Sequence, residues 1–361
     1  MKKICLFAPN LNGGGAERII SILGNHLANN GFVVDLVLAN ATGPYLENIN
    51  EKVNVIDLSC KRVSLSIFKL IKYLRTHKPH TVFASQMHAA RALIFAVRLS
   101  GVNCKVIVRQ PTMLVSPYEQ RSVLGTLQLK LFLFLARRYA DKIIATSQAM
   151  ADEFVTLSKI QRNKVEVIYN PLPIAFIQEK SQEELNHPWF AQGEPPVILA
   201  VGRLEPVKNF ISLIRAFSLV IKNTEARLMI LGEGAERAAL ESLIAELGLQ
   251  DYVKMPGFVG NPYQYMRHAK VFVQSSIREG FSNGLIEAMA CGTQIVATDC
   301  VGGTAEILGF GKFGHLVSVD DHEEMAKILL LSLNSLADNS PLIKAKDFDI
   351  TTVLDLYTEV L

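Results

Sequence analysis

Apolar positions along the chain follow two alternating rhythms. Short runs rich in β-branched residues, "KICLFAP", "VVDLVLA", "VNVIDL", "TVFAS", "KVIVRQ", "KIIATS" and "VEVIYN", alternate with longer amphipathic stretches. Ile19, Ile20, Leu23 and Leu27 share one face of the first such stretch, which Gly31 ends, and Ile67, Leu70, Ile71 and Leu74 mark another. Strand followed by helix, repeated, predicts βαβ units and a parallel sheet. The rhythm restarts after "YNPLPIAF" and the polar "EKSQEELNHPWFAQGEPP", where "PVILAVG", "ARLMILG", "YVKMPG", "KVFVQS" and "TQIVATD" each lead into a helical segment. The stretch from about 170 to 195 is therefore expected to be a linker. The expectation is an α/β chain of two doubly wound domains, 1–170 and 171–345, with a last helix over 346–361 packing back on the first domain. Two such domains facing each other would set the carboxyl ends of both sheets, where ligands bind in these folds, on the walls of one cleft.

A length of 361 residues agrees with two cores, and 49% hydrophobic with 20% charged residues is the balance of a globular protein. Cys5, Cys60, Cys104, Cys291 and Cys300 show no CxxC or His-rich spacing, so neither a zinc site nor a disulfide framework is expected, and the reducing cytosol is the simplest home. The opening "MKKICLFAPN" runs into Pro9 with no small-residue cleavage site and reads as a strand. "LQLKLFLFLARR" is broken by Lys130, well short of the ~20 residues of a spanning helix, and no transmembrane segment is expected.

The net charge of +3 conceals a split, since residues 1–170 hold 22 Lys and Arg against 10 Asp and Glu, whereas 171–361 hold 15 against 24. A basic first half suggests an anionic surface or polymer as partner, although such asymmetry also arises without one.

Several turns carry candidate chemistry. In "APNLNGGGAERI", Gly13, Gly14 and Gly15 let backbone approach a ligand, and the helix that follows offers free N–H groups to an anion or a hydroxyl. It lacks GxGxxG spacing, and a glycine-rich turn of this kind is as readily found without a ligand. In "AVGRLEPVKNF", Arg203 and Lys208 stand at a strand end where two cations could converge on one diphosphate; alone, such a pair also reads as solvated surface. "LGEGAERAAL" gives a second glycine turn at Gly232 and Gly234, and "MPGFVGNPYQYM" sets Gly257, Phe258 and Val259 where exposed backbone could meet a nucleobase edge or simply turn. "SSIREGFSNGLIEAMACG" brings Glu279 and Gly280 to a strand end, then a helix capped by Ser282 or Asn283, with Glu287 in about its first turn. Two carboxylates there could grip hydroxyls of one ligand. Equally, Glu279 could pair with Arg278 and Glu287 could cap the helix.

Taken together, "NGGGAER", "VGRLEPVKN", "LGEGAER", the "GFV" turn, "REGFSNGLIEAMACG" with its E-x7-E pair, and "GGTAEIL" resemble the retaining GT-B nucleotide-sugar glycosyltransferases of family 4, the group 1 family, in the order that family shows. The resemblance implies that Arg203 and Lys208 neutralise the donor diphosphate, that Glu279 holds hydroxyls of the donor sugar near its anomeric carbon, and that Glu287 holds the ribose hydroxyls. It sets Gly280, Phe281 and Leu285 beside sugar and phosphates, with Gly202, Gly232, Asn283 and Gly284 in the same donor site, Phe258 and Val259 beside the base, and Gly14 and Gly15 across the diphosphate. Cations fixed at the phosphates favour a transition state that builds negative charge on the leaving group. With no Asp-x-Asp at a strand end, the implied enzyme is a metal-independent hexosyltransferase retaining the α-configuration, with a nucleotide sugar as co-substrate and no cofactor.

One place departs from the family. Many relatives carry His or an acid after the strand matching "KVIVRQP", where this chain has Arg109 and Gln110, neither a base at neutral pH. Either the donor phosphate accepts the acceptor's proton, or another residue such as His88 in "SQMHAAR" helps, unless His88 is structural.

"SLSIFKLIKYLRTHK" and "LQLKLFLFLARRYADK" pair apolar faces with Lys69, Lys72, Arg75, Lys130, Arg137, Arg138 and Lys142, the pattern of helices lying at an anionic membrane, though part of each apolar face must be core. That suits a cytoplasmic enzyme peripheral to the inner membrane and extending a lipid-linked glycan, as in the lipopolysaccharide, capsule, O-antigen or glycoprotein-glycan assembly where such relatives work. A UDP-sugar donor is expected, because no side chain at the base turn would select guanine; hexose and N-acetylhexosamine are not separable. The rivals are a nucleotide-sugar epimerase of the same architecture, whose extra acid and base residues are missing from the motif positions, and a non-catalytic nucleotide-sugar or nucleic-acid binder. Nucleic acid is not expected, because the basic segments are aliphatic rather than interleaved with aromatics.

Overall fold

The first seven apolar runs pair into one parallel sheet. Its strands are β1 (Lys3–Ala8), β2 (Val33–Leu38), β3 (Asn54–Asp57), β4 (Thr81–Ser85), β5 (Lys105–Gln110), β6 (Lys142–Ala145) and β7 (Val165–Val167), in the order β3-β2-β1-β4-β5-β6-β7. Central strands such as β4 are buried at every residue, which requires helices on both faces and explains why they read as continuous apolar runs rather than alternating ones. The order reverses between β1 and β4, so the carboxyl ends of these two strands, leading into the helices Gly15–Asn29 and Met87–Ser100, form the switch point where such sheets bind ligands.

The second sheet repeats the plan with β8 (Val197–Val201), β9 (Arg227–Leu231), β10 (Val253–Gly257), β11 (Val271–Gln274), β13 (Gln294–Thr298) and β15 (His315–Val317), ordered β10-β9-β8-β11-β13-β15. Its switch point lies between β8 and β11. A separate two-stranded ladder joins β12 (Arg278–Glu279) to β14 (Val301–Gly302). The computed structural model describes residues 2–12, 15–115, 122–336 and 338–361. It divides into two compact units, Met1–Pro171 with Thr351–Leu361, and Leu172–Ile350. Each has its own core: Phe7, Phe132 and Phe154 anchor the first, Phe217 and Val271 the second. Phe132 and Phe154 meet edge to face at 5.9 Å, so truncating either to alanine removes a large apolar contact, a loss of about 3–5 kcal/mol.

The expected linker is largely built into the second unit. Within it, the helix Ile174–Ser181 buries Ile174 and Ile177, and Trp189 is buried with Lys254 Nζ 4.6 Å and Arg227 Cζ 5.1 Å from its ring centroid. Four large apolar side chains, Ile174, Ile177, Trp189 and Phe190, outweigh the polar composition that suggested a free connection. The return to the first unit also comes later than residue 346. Phe348 is buried against Phe281 at 5.7 Å, and Leu172 pairs its backbone with Phe348 and Ile350, which keeps 346–350 in the second unit. The helix Ile350–Val360 then enters the first unit, where Arg109 Nε donates to Tyr357 Oη at 2.8 Å and Thr81 Oγ1 donates to the Leu361 carbonyl at 2.9 Å. No helix among the described residues is long and apolar enough to cross a membrane.

Candidate active site

Two adjoining cavities open at the carboxyl end of the second sheet, sharing Val201, Gly202 and Arg203 as a common wall. The larger, about 530 Å³, is lined also by Leu231, Gly232, Glu233, Phe258, Val259, Gly260 and Pro262. It exists because the turns after β8 and β9 interlock: Gly202 N–H donates to the Leu231 carbonyl at 2.9 Å, Leu204 N–H to Glu233 at 2.8 Å, and Gly232 N–H to Gly257 at 2.8 Å. Gly232 has φ +141°, and a Cβ there would lie 1.9 Å from the Gly202 carbonyl oxygen. Gly232→Ala is therefore expected to destabilise the fold by about 2–3 kcal/mol and to weaken binding of a nucleotide, read as a lower melting temperature and a smaller nucleotide-induced rise in it. Phe258 is 82% exposed, a ring presented to solvent at the mouth of this cavity.

The smaller cavity, about 340 Å³, lies directly at the β8/β11 switch point and is lined by Lys208, Gln274, Ser275, Ser276, Glu279, Phe281, Ser282, Asn283 and Gly284 besides the shared wall. Lys208 Nζ donates to Glu279 Oε1 at 2.6 Å, and Ser276 Oγ donates to the same oxygen at 2.8 Å. Both charged side chains are mostly buried. Glu279 is thus paired with Lys208, not with Arg278 at the surface, and its Oε2 stays available to a ligand hydroxyl. Arg203 lines both cavities but does not converge on Lys208: its side chain is exposed and Nη1 donates to Glu205 Oε1 at 2.6 Å.

The backbone of Glu279 is positioned by the β12/β14 ladder, which pairs Glu279 with Gly302. Gly302 has φ +131°, and a Cβ there would fall 1.4 Å from the Glu279 carbonyl oxygen, so only glycine fits. Gly280 follows half-buried, and Phe281 is buried against Phe348. The helix Asn283–Ala290 comes next. Ser282 precedes it without capping it, because its hydroxyl hydrogen-bonds Gln274 Oε1, while Gln274 Nε2 donates to Thr304 Oγ1 at 3.0 Å. With no cap side chain on the first helical N–H groups, that helix end presents donors to the cavity, a setting suited to an anion. Leu285 is fully buried, so only its backbone belongs to that end.

Glu287 is the fifth residue of this helix, in its second turn rather than its first, is half-buried, and lines neither cavity. Burial, and then the nearby Glu287 carboxylate, push the Cys291 thiol up to about 12, which keeps that cysteine protonated. Ser276, Gln274 and Gly302 were not distinguishable from the motifs. Their only signal was proximity, in "QSS" before Glu279 and in the "GG" of "GGTAEIL".

In the first unit, Gly13 and Gly14 lie outside the described residues, and Gly15 opens the helix Gly15–Asn29 with open space where a Cβ would be. Glu17, in the first turn of that helix, accepts from Gln86 Nε2 at 2.9 Å, and its buried Oε2 has no partner among the described residues. Gln86 sits at φ 80°, unusual for a residue with a side chain, and turns the chain from β4 into the helix carrying His88. The His88 imidazole is held below its ordinary value by the packing around it and then by Arg91, with Glu17 pulling the other way. The motif "GGGAER" contained the Glu17 signal, an acid directly after a glycine turn. Arg109 is buried, bonding Tyr357, Ser85 Oγ at 3.2 Å and Asn170 Oδ1 at 2.6 Å, so it ties the last helix to the sheet. Among the described residues no group of three or more His, Cys, Asp or Glu is placed to hold a metal ion.

The sequence model of glycosyl transferases group 1 matches residues 181–345 and that of glycosyltransferase family 4 matches residues 13–176. The chain is 31% identical, over 90% of its length and 88% of the relative's, to the N-acetylgalactosamine-N,N'-diacetylbacillosaminyl-diphospho-undecaprenol 4-alpha-N-acetylgalactosaminyltransferase of Campylobacter jejuni. It is 26% identical, over 91% and 87%, to the lipopolysaccharide core biosynthesis glycosyltransferase LpsE of Rhizobium meliloti. Among solved structures, Anabaena Alr3699/HepE in complex with UDP superposes with a TM-score of 0.82 at 21% identity, covering 100% of this chain and 99% of that one. Two Rossmann-like units of this topology, matched in sequence over residues 13–176 and 181–345, place the chain in the group 1, family 4 glycosyltransferases with the GT-B fold.

Proposed function

We propose that the protein transfers a hexose or N-acetylhexosamine, with retention of configuration, from a UDP-sugar to a lipid-linked glycan during assembly of a bacterial surface glycan. The observation that carries the reading is the Lys208–Glu279 pair at the β8/β11 switch point, a cation and a sugar-binding carboxylate joined at 2.6 Å beside a helix N-terminus. Lys208, Arg203 and the N–H groups opening the helix Asn283–Ala290 receive the diphosphate and stabilise its charge as the glycosyl bond breaks, which makes a divalent metal unnecessary. Glu279 Oε2 accepts sugar hydroxyls near the anomeric carbon. Phe258 and Val259 take the base, Gly202 and Gly232 let backbone approach the phosphates, and Glu287 serves the ribose. The acceptor hydroxyl attacks from the face the diphosphate leaves, and its proton passes to the departing phosphate oxygen or to His88. Support for the substrates comes from the UDP held by the Anabaena protein and from the undecaprenyl-linked acceptor named for the Campylobacter relative.

UDP is expected to raise the melting temperature in the presence of EDTA, and GDP and ADP to raise it less. A larger rise with GDP would overturn the donor assignment. His88 gives a separate test. Its imidazole is neutral down to a pH below the ordinary ~6.5, and only the neutral form accepts a proton. Transfer should therefore fall only on the acid side of the ordinary histidine range, and His88→Gln should remove that acidic limb. An unchanged limb in the variant would assign the proton to the donor phosphate.

A further inference from the structure

The helix Asn283–Ala290 begins with a serine that does not cap it. Ser282 has the extended backbone of an N-cap residue, φ −87° and ψ 99°, from which a serine hydroxyl ordinarily accepts from the second or third helical N–H, here Gly284 or Leu285. Its hydroxyl instead donates to Gln274 Oε1. Gln274 closes β11, is buried, and is anchored twice: its Nε2 donates to Thr304 Oγ1 at 3.0 Å, and its carbonyl accepts from Thr298 Oγ1 at 3.4 Å. Thr304, which opens the helix Thr304–Ile307, and Thr298, which ends β13, are both fully buried. The amide is therefore held in place and draws the hydroxyl away from the helix.

The first N–H groups of this helix have two possible partners. One is the Ser282 hydroxyl; the other is an anion in the smaller cavity, whose lining includes Gln274, Ser282, Asn283 and Gly284. A Cβ on Gly284 would meet nothing within 4 Å, so the helix end borders open space. Hydroxyl and anion would bond the same N–H groups, and a capped helix is a weaker anion site. A buried glutamine is also an unusual end for a central parallel strand, where an apolar residue would ordinarily pack. Gln274 lines the cavity itself, but both ends of its amide are engaged, Oε1 with Ser282 and Nε2 with Thr304, so its influence on a ligand runs through Ser282.

We propose that Gln274 is a positioning residue that withholds Ser282 from its own helix and so keeps the N–H groups of Gly284 and Leu285 open to the donor diphosphate. The inference deepens the donor site of the proposed function and rests on that reading. Thr304 stands two residues beyond Gly302, the ladder partner of Glu279, so the hold on Ser282 and the placement of Glu279 share one turn. Without the amide, Ser282 turns in and caps the helix, which then gains a hydrogen bond that the diphosphate loses.

The test is a double-mutant cycle on the full chain, with dissociation constants for UDP and for inorganic pyrophosphate measured by calorimetry in EDTA. Gln274→Met keeps the length of the side chain and removes the acceptor for Ser282. It is expected to weaken both ligands about tenfold, the worth of a hydrogen bond to a charged group. In the Ser282→Ala background, which has no hydroxyl to turn in, the same substitution should weaken them less than about twofold. An equal loss in both backgrounds would mean that Gln274 touches the ligand or only packs, and no loss beside Ser282 would mean that the hydroxyl never competes; either result overturns the proposal. Thr304→Val cuts the anchor and leaves the glutamine. It should weaken both ligands too, again only with Ser282 present, and it carries the test if Gln274→Met fails to fold. Pyrophosphate binding that follows the cycle without any UDP binding counts against the donor reading alone, and a parent that binds neither ligand overturns both.

Discussion

Glu279→Ala is expected to lower glycosyl transfer about 10²–10³-fold while UDP still binds. In the structure the carboxylate fixes Lys208 through Oε1, and in the proposed reaction its Oε2 takes the sugar. Removing it frees Lys208 to swing and deletes the acceptor for sugar hydroxyls, so the transition state loses both a placed cation and an orienting hydrogen bond. The larger cavity, proposed to take the base, is lined by other residues, so the loss should fall on kcat rather than on UDP affinity. Glu279→Gln keeps the side chain's size and a carbonyl oxygen for Lys208, and should retain more activity than Glu279→Ala. Equal and full activity in both variants would remove Glu279 from the site.

The second large effect lies at Gly302, the ladder partner of that acid. Gly302→Ala puts a methyl 1.4 Å from the Glu279 carbonyl oxygen at a φ of +131°, which no side-chain rotation relieves. The β12/β14 ladder must part, and Glu279 leaves its place beside Lys208. We expect a loss of about 3 kcal/mol in stability and a fall in transfer comparable to that of Glu279→Ala. Gly303→Ala is the control, because Gly303 has φ −90°, a backbone conformation open to any L residue. Thermal melts with transfer rates for the two variants separate a general cost of alanine from the specific collision. If Gly302→Ala melted and turned over like the parent, the ladder would not be what positions Glu279.

Much of this was readable in the chain because burial on both faces of a parallel sheet writes a continuous apolar run. All twelve runs singled out became strands, from "KICLFAP" to "TQIVATD". β12, β14 and β15 escaped notice, since two or three residues carry no period. The stretch around Trp189 misled for a physical reason: composition averages over positions, whereas one buried indole between two cations is enough to anchor a segment. At the site, motifs located Glu279, Lys208 and Arg203, but no spacing rule could say that Lys208 pairs with Glu279 across 71 residues while Arg203 stays on Glu205. Glu17 was missed although it stood inside a quoted motif. Its unpartnered oxygen is a property of the folded packing around Gln86, not of the sequence.

The most direct measurement is transfer itself. Purified protein would be given a membrane extract carrying undecaprenyl-linked glycans and each common UDP-, GDP- and ADP-sugar in turn, in EDTA, with nucleotide release and sugar incorporated into lipid both recorded. The account predicts stoichiometric UDP release and incorporation from one UDP-sugar, undiminished by the chelator and abolished by Lys208→Ala. Incorporation that needs a divalent metal, or that proceeds unchanged without Lys208, would contradict it.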